Sequence, residues 1–452
     1  MNSSVKNIFK ASGAASLGQV LNVLNQLALV PLYMKIWGPQ LYGEWLILSA
    51  APSVIAMAGD LGFGTVAANE MNIAVARDDR PFALQVFQNN WLVISAFSLL
   101  FFGLAALGLP FLSVEGSLNI HHIAPHDARL MIALFLANIL LVQQYSLMLA
   151  ALRCDGNYVL GLTFNNISKI LELSLLATLL AVFHAPPLII AATSVSVTTL
   201  MLVVNRVLVL RKSPWIRYGF RLFSPAIIRA QTPIALSFLS FSITQAMSIQ
   251  GAVMLVGFLM GPAAVVVLST TRTFMNVIKQ VAAVVNTSIW PELTTAYGQG
   301  NIEKFQLLFT RALQAILLLV VGFNLAMWVV GKPLYLFWTK HKLAVDSSFF
   351  YTYALITSLN ALWTLFGVVQ GATNQTKRYA LYHMCSIAIM LLGILALSKP
   401  LGMPGVLLAI GCAELFMLVF VVKNALSILQ IKSFATFWAD FTRLPQRSMA
   451  LK

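Results

Sequence analysis

Apolar runs long enough to cross a bilayer recur along the whole chain, and that recurrence leaves few folds open. A segment in lipid must satisfy its own backbone hydrogen bonds, and runs of about 20 apolar residues do so as helices. Hydropathy places twelve of them, at 11–36, 45–70, 89–112, 128–150, 159–183, 188–210, 232–258, 263–290, 306–330, 347–371, 380–398 and 404–428. Hydrophobic residues make up 59% of the chain and charged residues only 10%, with a mean hydropathy of +0.84. A soluble globular domain is excluded, and the expected fold is an all-α polytopic membrane protein. Lys6 and Lys10 precede a first run too long for a cleaved signal, so that run reads as a helix that stays.

An even number of helices puts both termini on one side, and basic residues decide which side. Of the 29 Lys and Arg, 20 fall on the side of the termini, 6 on the other, and Lys169, Arg272 and Lys279 lie inside helices. The positive-inside rule makes the termini cytoplasmic. The net charge of +15 comes from residues scattered between apolar runs, so it does not point to nucleic acid. The basic stretch 211–231 divides the chain into an N-terminal lobe, 1–210, and a C-terminal lobe, 232–428, of six helices each; 429–452 is a cytoplasmic tail. That stretch reads as an amphipathic linker resting on the anionic inner leaflet rather than as a specific lipid site. Gly38-Pro39 and Gly261-Pro262 each follow the first helix of a lobe, the kind of match that internal repeats leave in transporters.

No region outside the membrane is large enough for a catalytic domain, and no nucleophile is placed with a base, so the chain reads as a non-enzyme. Cys154, Cys385 and Cys412 lack metal-ligand spacing. His121, His122, His126 and Asp127 share a short loop and read as solvated rather than as a metal site. The informative residues are polar ones inside helices. Arg272 and Lys279 lie seven residues apart with Asn276 between them, on one face of the 263–290 helix, and Asn286 extends the stripe. A cation near mid-bilayer costs about 2.5 to 3.5 kcal/mol on insertion scales, so this face is expected to turn inward unless both side chains snorkel.

Other helices carry weaker stripes. Gln19, Asn22 and Gln26 share a face of the first helix, and either bond a neighbouring helix or line a cavity. Asp60 is a mid-membrane carboxylate, either a counter-ion or proton or cation site or a structural cap. Asn165, Lys169 and Glu172 share a face, where Lys169 and Glu172 either pair with each other or place the lysine beside the 263–290 helix. Asn360 adds an amide in the tenth helix, while His383 and Glu414 are isolated ionisable groups of the last two.

Three passages resemble a known family. W-G-P-Q-L-Y-G-E-W from Trp37, G-D-L-G-F-G from Gly59, and W-P-E-L from Trp290 followed by G-N-I-E-K-F resemble the O-antigen and polysaccharide flippases. These form the polysaccharide-transporter branch of the multidrug/oligosaccharidyl-lipid/polysaccharide exporter superfamily. The resemblance implies two six-helix lobes around a central cavity and alternating-access transfer of an undecaprenyl-diphosphate-linked oligosaccharide to the periplasmic leaflet. It implies no cofactor, a proton or sodium gradient as the candidate driving force, and polysaccharide polymerase machinery as a candidate partner. Arg272, Lys279 and Lys169 would hold the diphosphate; Asn22, Gln26, Asn276 and Asn360 would serve the sugars; Asp60 and Glu172 would serve coupling or charge balance. The competing readings are a cation-coupled multidrug exporter of the same superfamily, which would favour acidic cavity residues, and a membrane polymerase or ligase, which would need larger loops.

Overall fold

The computed structural model describes residues 3–59, 62–111, 120–373 and 375–431. Among these residues the regular structure is helical throughout, and ten helices are long and apolar enough to cross a membrane. The protein is a multi-pass membrane protein. Two of the twelve expected segments, 45–70 and 263–290, are not among those ten. They are the segments in which the sequence sets Asp60, or Arg272 and Lys279, in mid-helix.

By compactness the chain forms two units, 1–266 and 267–452. The first holds α1 (Ser3–Ile36), α2 (Gly38–Gly59), α3 (Phe63–Ala76), α4 (Arg80–Gly108), α5 (Pro125–Cys154), α6 (Tyr158–Ala181) and α7 (Pro187–Lys212). It continues through α8 (Pro225–Ala246), a π-turn at Met247–Gly251 and α9 (Ala252–Met260). Helix α10 (Pro262–Gly298) starts in this unit and ends in the second. There follow α11 (Ile302–Ala326), a π-turn at Met327–Gly331, α12 (Lys332–Trp338), α13 (Ser347–Ala372), α14 (Thr376–Leu401) and α15 (Met403–Ile428).

The 45–70 segment is two helices rather than one. Gly62 takes φ 79° at the start of α3, a conformation open to glycine but not to an ordinary helical residue, and Gly59 and Gly64 are poor helix formers on either side. Asp60 itself lies outside the described residues. The 263–290 helix is also longer than its apolar run. It continues through Pro291 to Gly298, so the Trp-Pro pair marks no helix end. Proline removes one helical donor, that to the Thr287 carbonyl, and the helix tolerates the loss.

The two Gly-Pro turns share a backbone. Gly38 has φ 73° and Gly261 has φ 83°, each turning the chain directly into the next helix. The second turn also meets the first passage of family resemblance: a Cβ on Gly43 would lie 2.3 Å from the Pro262 carbonyl oxygen. Three aromatic residues at that joint have structural tasks. The Trp37 indole donates to the Ala185 carbonyl at 2.9 Å, Tyr42 stacks on Tyr33 with centroids 5.1 Å apart, and Trp45 meets the Phe135 edge at 4.9 Å. Such small-residue approaches and aromatic contacts hold helices together where lipid removes most of the hydrophobic driving force.

Each unit has its own packed core. In the first, Phe63, Met71, Phe87, Ile94 and Leu147 join α3, α4 and α5. In the second, Ile278 and Ala282 of α10 pack with Phe305 and Phe309 of α11, Trp363 and Phe366 of α13, and Met417 and Val421 of α15. Trp290 seats its ring against Gly371, where a Cβ would lie 2.3 Å from the indole. The α10 stripe is thus held inside the second unit by residues on either side of it.

Candidate functional site

The polar face of α10 meets its partners within the second unit. Arg272, Asn276 and Lys279 are all half-buried. Lys279 lies in electrostatic range of both Arg272 and the Glu414 carboxylate of α15, and Arg272 is in range of the Tyr353 hydroxyl of α13. The stripe thus lies near polar groups of α13 and α15. Above it, the Thr270 hydroxyl and the fully buried Tyr335 hydroxyl of α12 are 2.7 Å apart, and Phe274 packs on Tyr335 at 5.5 Å. Below it, the Asn286 amide reaches the Thr364 hydroxyl at 3.5 Å.

Glu414 is the residue that sequence reading undervalued. The Asn360 side-chain nitrogen donates to both of its carboxylate oxygens at 3.1 Å, and the Trp363 indole N–H donates to one of them at 2.5 Å. Tyr353 and Tyr379 lie within electrostatic range of the same carboxylate. Asn360, expected among the sugar ligands, is thus engaged with a carboxylate. No ion pair shorter than 4.0 Å joins Lys279 to a carboxylate among the described residues. The cluster carries two cations and one anion, a net positive site in which the anion is held by neutral donors. Only tertiary structure brings positions 279, 360 and 414 together; the available sequence signal was that each is polar in an apolar helix.

In the first unit, Lys169 and Glu172 do not pair with each other. The Lys169 ammonium donates to the Gly18 carbonyl of α1 at 3.2 Å, while Glu172 is hydrogen-bonded to Ser194 of α7 and lies in range of the Tyr33 hydroxyl. A Cβ on Gly18 would lie 2.8 Å from the Asn166 amide oxygen, so α1 and α6 approach closely there. Each charged side chain of α6 thereby has a partner on a neighbouring helix, which removes the reason for an intrahelical pair. Asn22, one turn along α1, is half-buried. The Gln26 side chain, like Asp60, lies outside the described part of the structure.

A further carboxylate that the sequence did not single out is Glu44 of α2, fully buried. It accepts from the backbone N–H groups of His121, His122 and Ile123 at 2.8 to 3.0 Å, and contacts the His122 imidazole at 2.8 Å. Three backbone donors converging on one carboxylate satisfy its buried charge. The histidine loop is therefore seated on α2 by its backbone.

No family model matches the chain, and no curated protein matches it. Solved structures do. An inward-facing multidrug resistance MATE family transporter of the MOP superfamily aligns with TM-score 0.70 at 15% identity, over 94% of this chain and all of that one. An outward-facing structure of a MATE family transporter aligns at 0.63 and 16% identity, over 95% and 96% of the two chains. A MOP superfamily transporter from Pyrococcus furiosus aligns at 0.61 and 16% identity, over 94% and 96%; its description says that reversed polarity of the binding pocket suggests a different function. At these identities the likeness is one of fold, and it spans nearly the full length of each chain.

Proposed function

We propose that this protein is an alternating-access membrane transporter that moves an anionic, lipid-linked oligosaccharide across the inner membrane, with Arg272 and Lys279 holding its diphosphate. The observation that supports the reading is the cation pair on α10, with Arg272 in electrostatic range of the Tyr353 hydroxyl of α13 and Lys279 in range of the Glu414 carboxylate of α15. Arg offers a planar fork and Lys a mobile point charge, a combination suited to a diphosphate. The fold supports transport: MATE family structures with this fold are described in both inward- and outward-facing conformations. The transporters that share it differ in pocket polarity by the description of the Pyrococcus furiosus protein, so the fold leaves the substrate to the side chains. Asn22, Gln26 and Asn276 remain the proposed sugar contacts. Asp60 and Glu172 remain proposed coupling groups for a proton or sodium gradient, and a polysaccharide polymerase is the proposed downstream partner.

A second reading, a cation-coupled multidrug exporter, is favoured by one specific observation as well as by the neighbours' descriptions. Glu414 is a carboxylate inside the same cluster, where a cationic substrate would seek it. Reconstituted protein separates the two. Proteoliposomes loaded with a lipid-linked oligosaccharide should move it between leaflets, and R272L or K279L should lose that transfer. Gradient-driven efflux of cationic dyes with no lipid-linked transfer would replace the first reading with the second.

A further inference from the structure

The segment between α7 and α8 is fixed in place by side chains of α4. Gln88 donates to the Arg217 carbonyl at 2.9 Å and accepts from the Leu222 N–H at 3.3 Å. Asn89 donates to the Leu222 carbonyl at 2.9 Å and accepts from the Ser224 N–H at 2.8 Å. Asp155 accepts from the Ser213 hydroxyl and the Trp215 indole at 2.7 and 3.2 Å. Tyr218 packs on Phe87 and Trp91, with the Arg206 guanidinium 4.1 Å above its ring. Residues 213–224 thus form a shelf whose backbone is bonded to the bundle, not a loose tether.

Clamping the shelf buries Ile216 but leaves two of its aromatic side chains uncovered. Phe220 is 70% exposed and Phe223 53% exposed. A groove of about 570 Å³ starts at Phe223 and follows α8 past Ile228, Arg229, Thr232, Pro233 and Leu236. Positions 229, 232, 233 and 236 share one helical face, so the groove runs about 10 Å from the shelf along the helix. Its walls are apolar by construction: the Thr232 hydroxyl is spent on the Ile228 carbonyl at 2.7 Å, and Pro233 has no N–H. Only its mouth is charged. Arg229 is exposed there with Arg217 and Arg221 nearby in the chain, and the sequence contains no acidic residue between Glu172 and Glu292. The acids folded against this region are already engaged, Asp155 with the shelf and Arg80 and Glu70 with Gln231.

We propose that this groove is a binding site for an anionic phospholipid of the adjoining leaflet, with the headgroup phosphate on Arg229 and one acyl chain along α8 toward Leu236. A cationic mouth on an open apolar groove along α8 matches a lipid's charge and its length axis together, and this goes beyond a basic segment resting on the surface. A bound lipid would brace the shelf against α8.

Native mass spectrometry of the purified full chain, with phosphatidylglycerol or phosphatidylcholine added at equal concentration, tests it. The parent should retain phosphatidylglycerol at least about fivefold better, and R229Q should lower that retention by about fivefold, one basic residue's share near an anionic surface. R229K should keep most of it. L236W, which fills the groove without touching charge, should lower retention of both lipids, and K304Q, an exposed lysine elsewhere, should change neither. Lipid-free melting temperatures equal to the parent's identify folded variants; should R229Q unfold, R229K and L236W carry the test. Equal retention of the two phospholipids, parent-like retention by L236W, or full displacement by chainless glycerophosphoglycerol at the same concentration would overturn the proposal. Retention of a polyprenyl phosphate but not of phosphatidylglycerol would overturn it too.

Discussion

Lys279 sits between charges of opposite sign, so substitutions on either side of it pull apart the readings of the cluster. Charge-assisted hydrogen bonds are worth about 1.5 to 3 kcal/mol, and R272L or K279L should each weaken binding of an anionic diphosphate headgroup by about ten- to a hundredfold. The double variant should be worst, and R272K intermediate, because it keeps the charge but loses the fork. Titration of the purified variants with a lipid diphosphate checks this; parent-like affinity in both leucine variants would sink the role. E414Q moves the other way. A glutamine keeps an acceptor for Trp363 or Asn360 but removes the negative charge that Lys279 senses, so anionic ligand should bind roughly tenfold tighter, about 1.4 kcal/mol. If the cluster instead serves cationic substrates, E414Q should abolish their binding, and dye-binding measurements on the same preparation distinguish the two. The cations of this site were legible in the sequence because a charge in an apolar helix is conspicuous. Its anion was equally visible but had no readable partner, since the donors that hold it come from another helix more than fifty positions away.

At the scale of elements, the joint between α2 and the histidine loop makes the sharpest stability prediction. E44A would leave the N–H groups of His121, His122 and Ile123 without their acceptor, and the loss at the buried Ile123 bond should by itself cost about 1 to 3 kcal/mol. E44Q keeps one oxygen acceptor and should lose less. Thermal unfolding in detergent measures the first effect, and faster protease cleavage near residues 121–124 measures release of the loop. Parent-like values in E44A would refute the latch. The helices themselves were legible almost entirely from hydropathy, because lipid forces each span to be long, apolar and internally bonded. Their interruptions were not. Where Gly62 takes a positive φ, an apolar run broke into α2 and α3, and at Pro291, a residue type that commonly ends helices, α10 ran on to Gly298. A hydropathy average is blind to both, since it registers how apolar a residue is and not which backbone angles it permits. The conspicuous Y-G-E-W passage is explained the same way, by packing around Gly43 and by Glu44, which no local pattern reports.

For the molecule as a whole, orientation is the property on which the direction of the proposed transport would depend. The excess of basic residues on the side of the termini, 20 against 6, expects the α7–α8 shelf to be cytoplasmic and the segment after α12 to face the periplasm. Ser213, near the start of the shelf, is fully buried and bonded to Asp155, so a cysteine there would escape a reagent on either side. Arg221 and Lys342 are exposed and serve as better reporters. Cys385 and Cys412 are exposed as well, so the parent for this test has Cys154, Cys385 and Cys412 replaced by alanine. A membrane-impermeant maleimide applied to intact spheroplasts should label K342C and leave R221C unlabelled. Inverted vesicles should give the reverse. The two arms must exchange with the membrane's orientation, because accessibility that depends only on burial would give one pattern in both preparations. Labelling of R221C in spheroplasts would turn the molecule over, and with it the side from which the proposed headgroup would first reach Arg272 and Lys279.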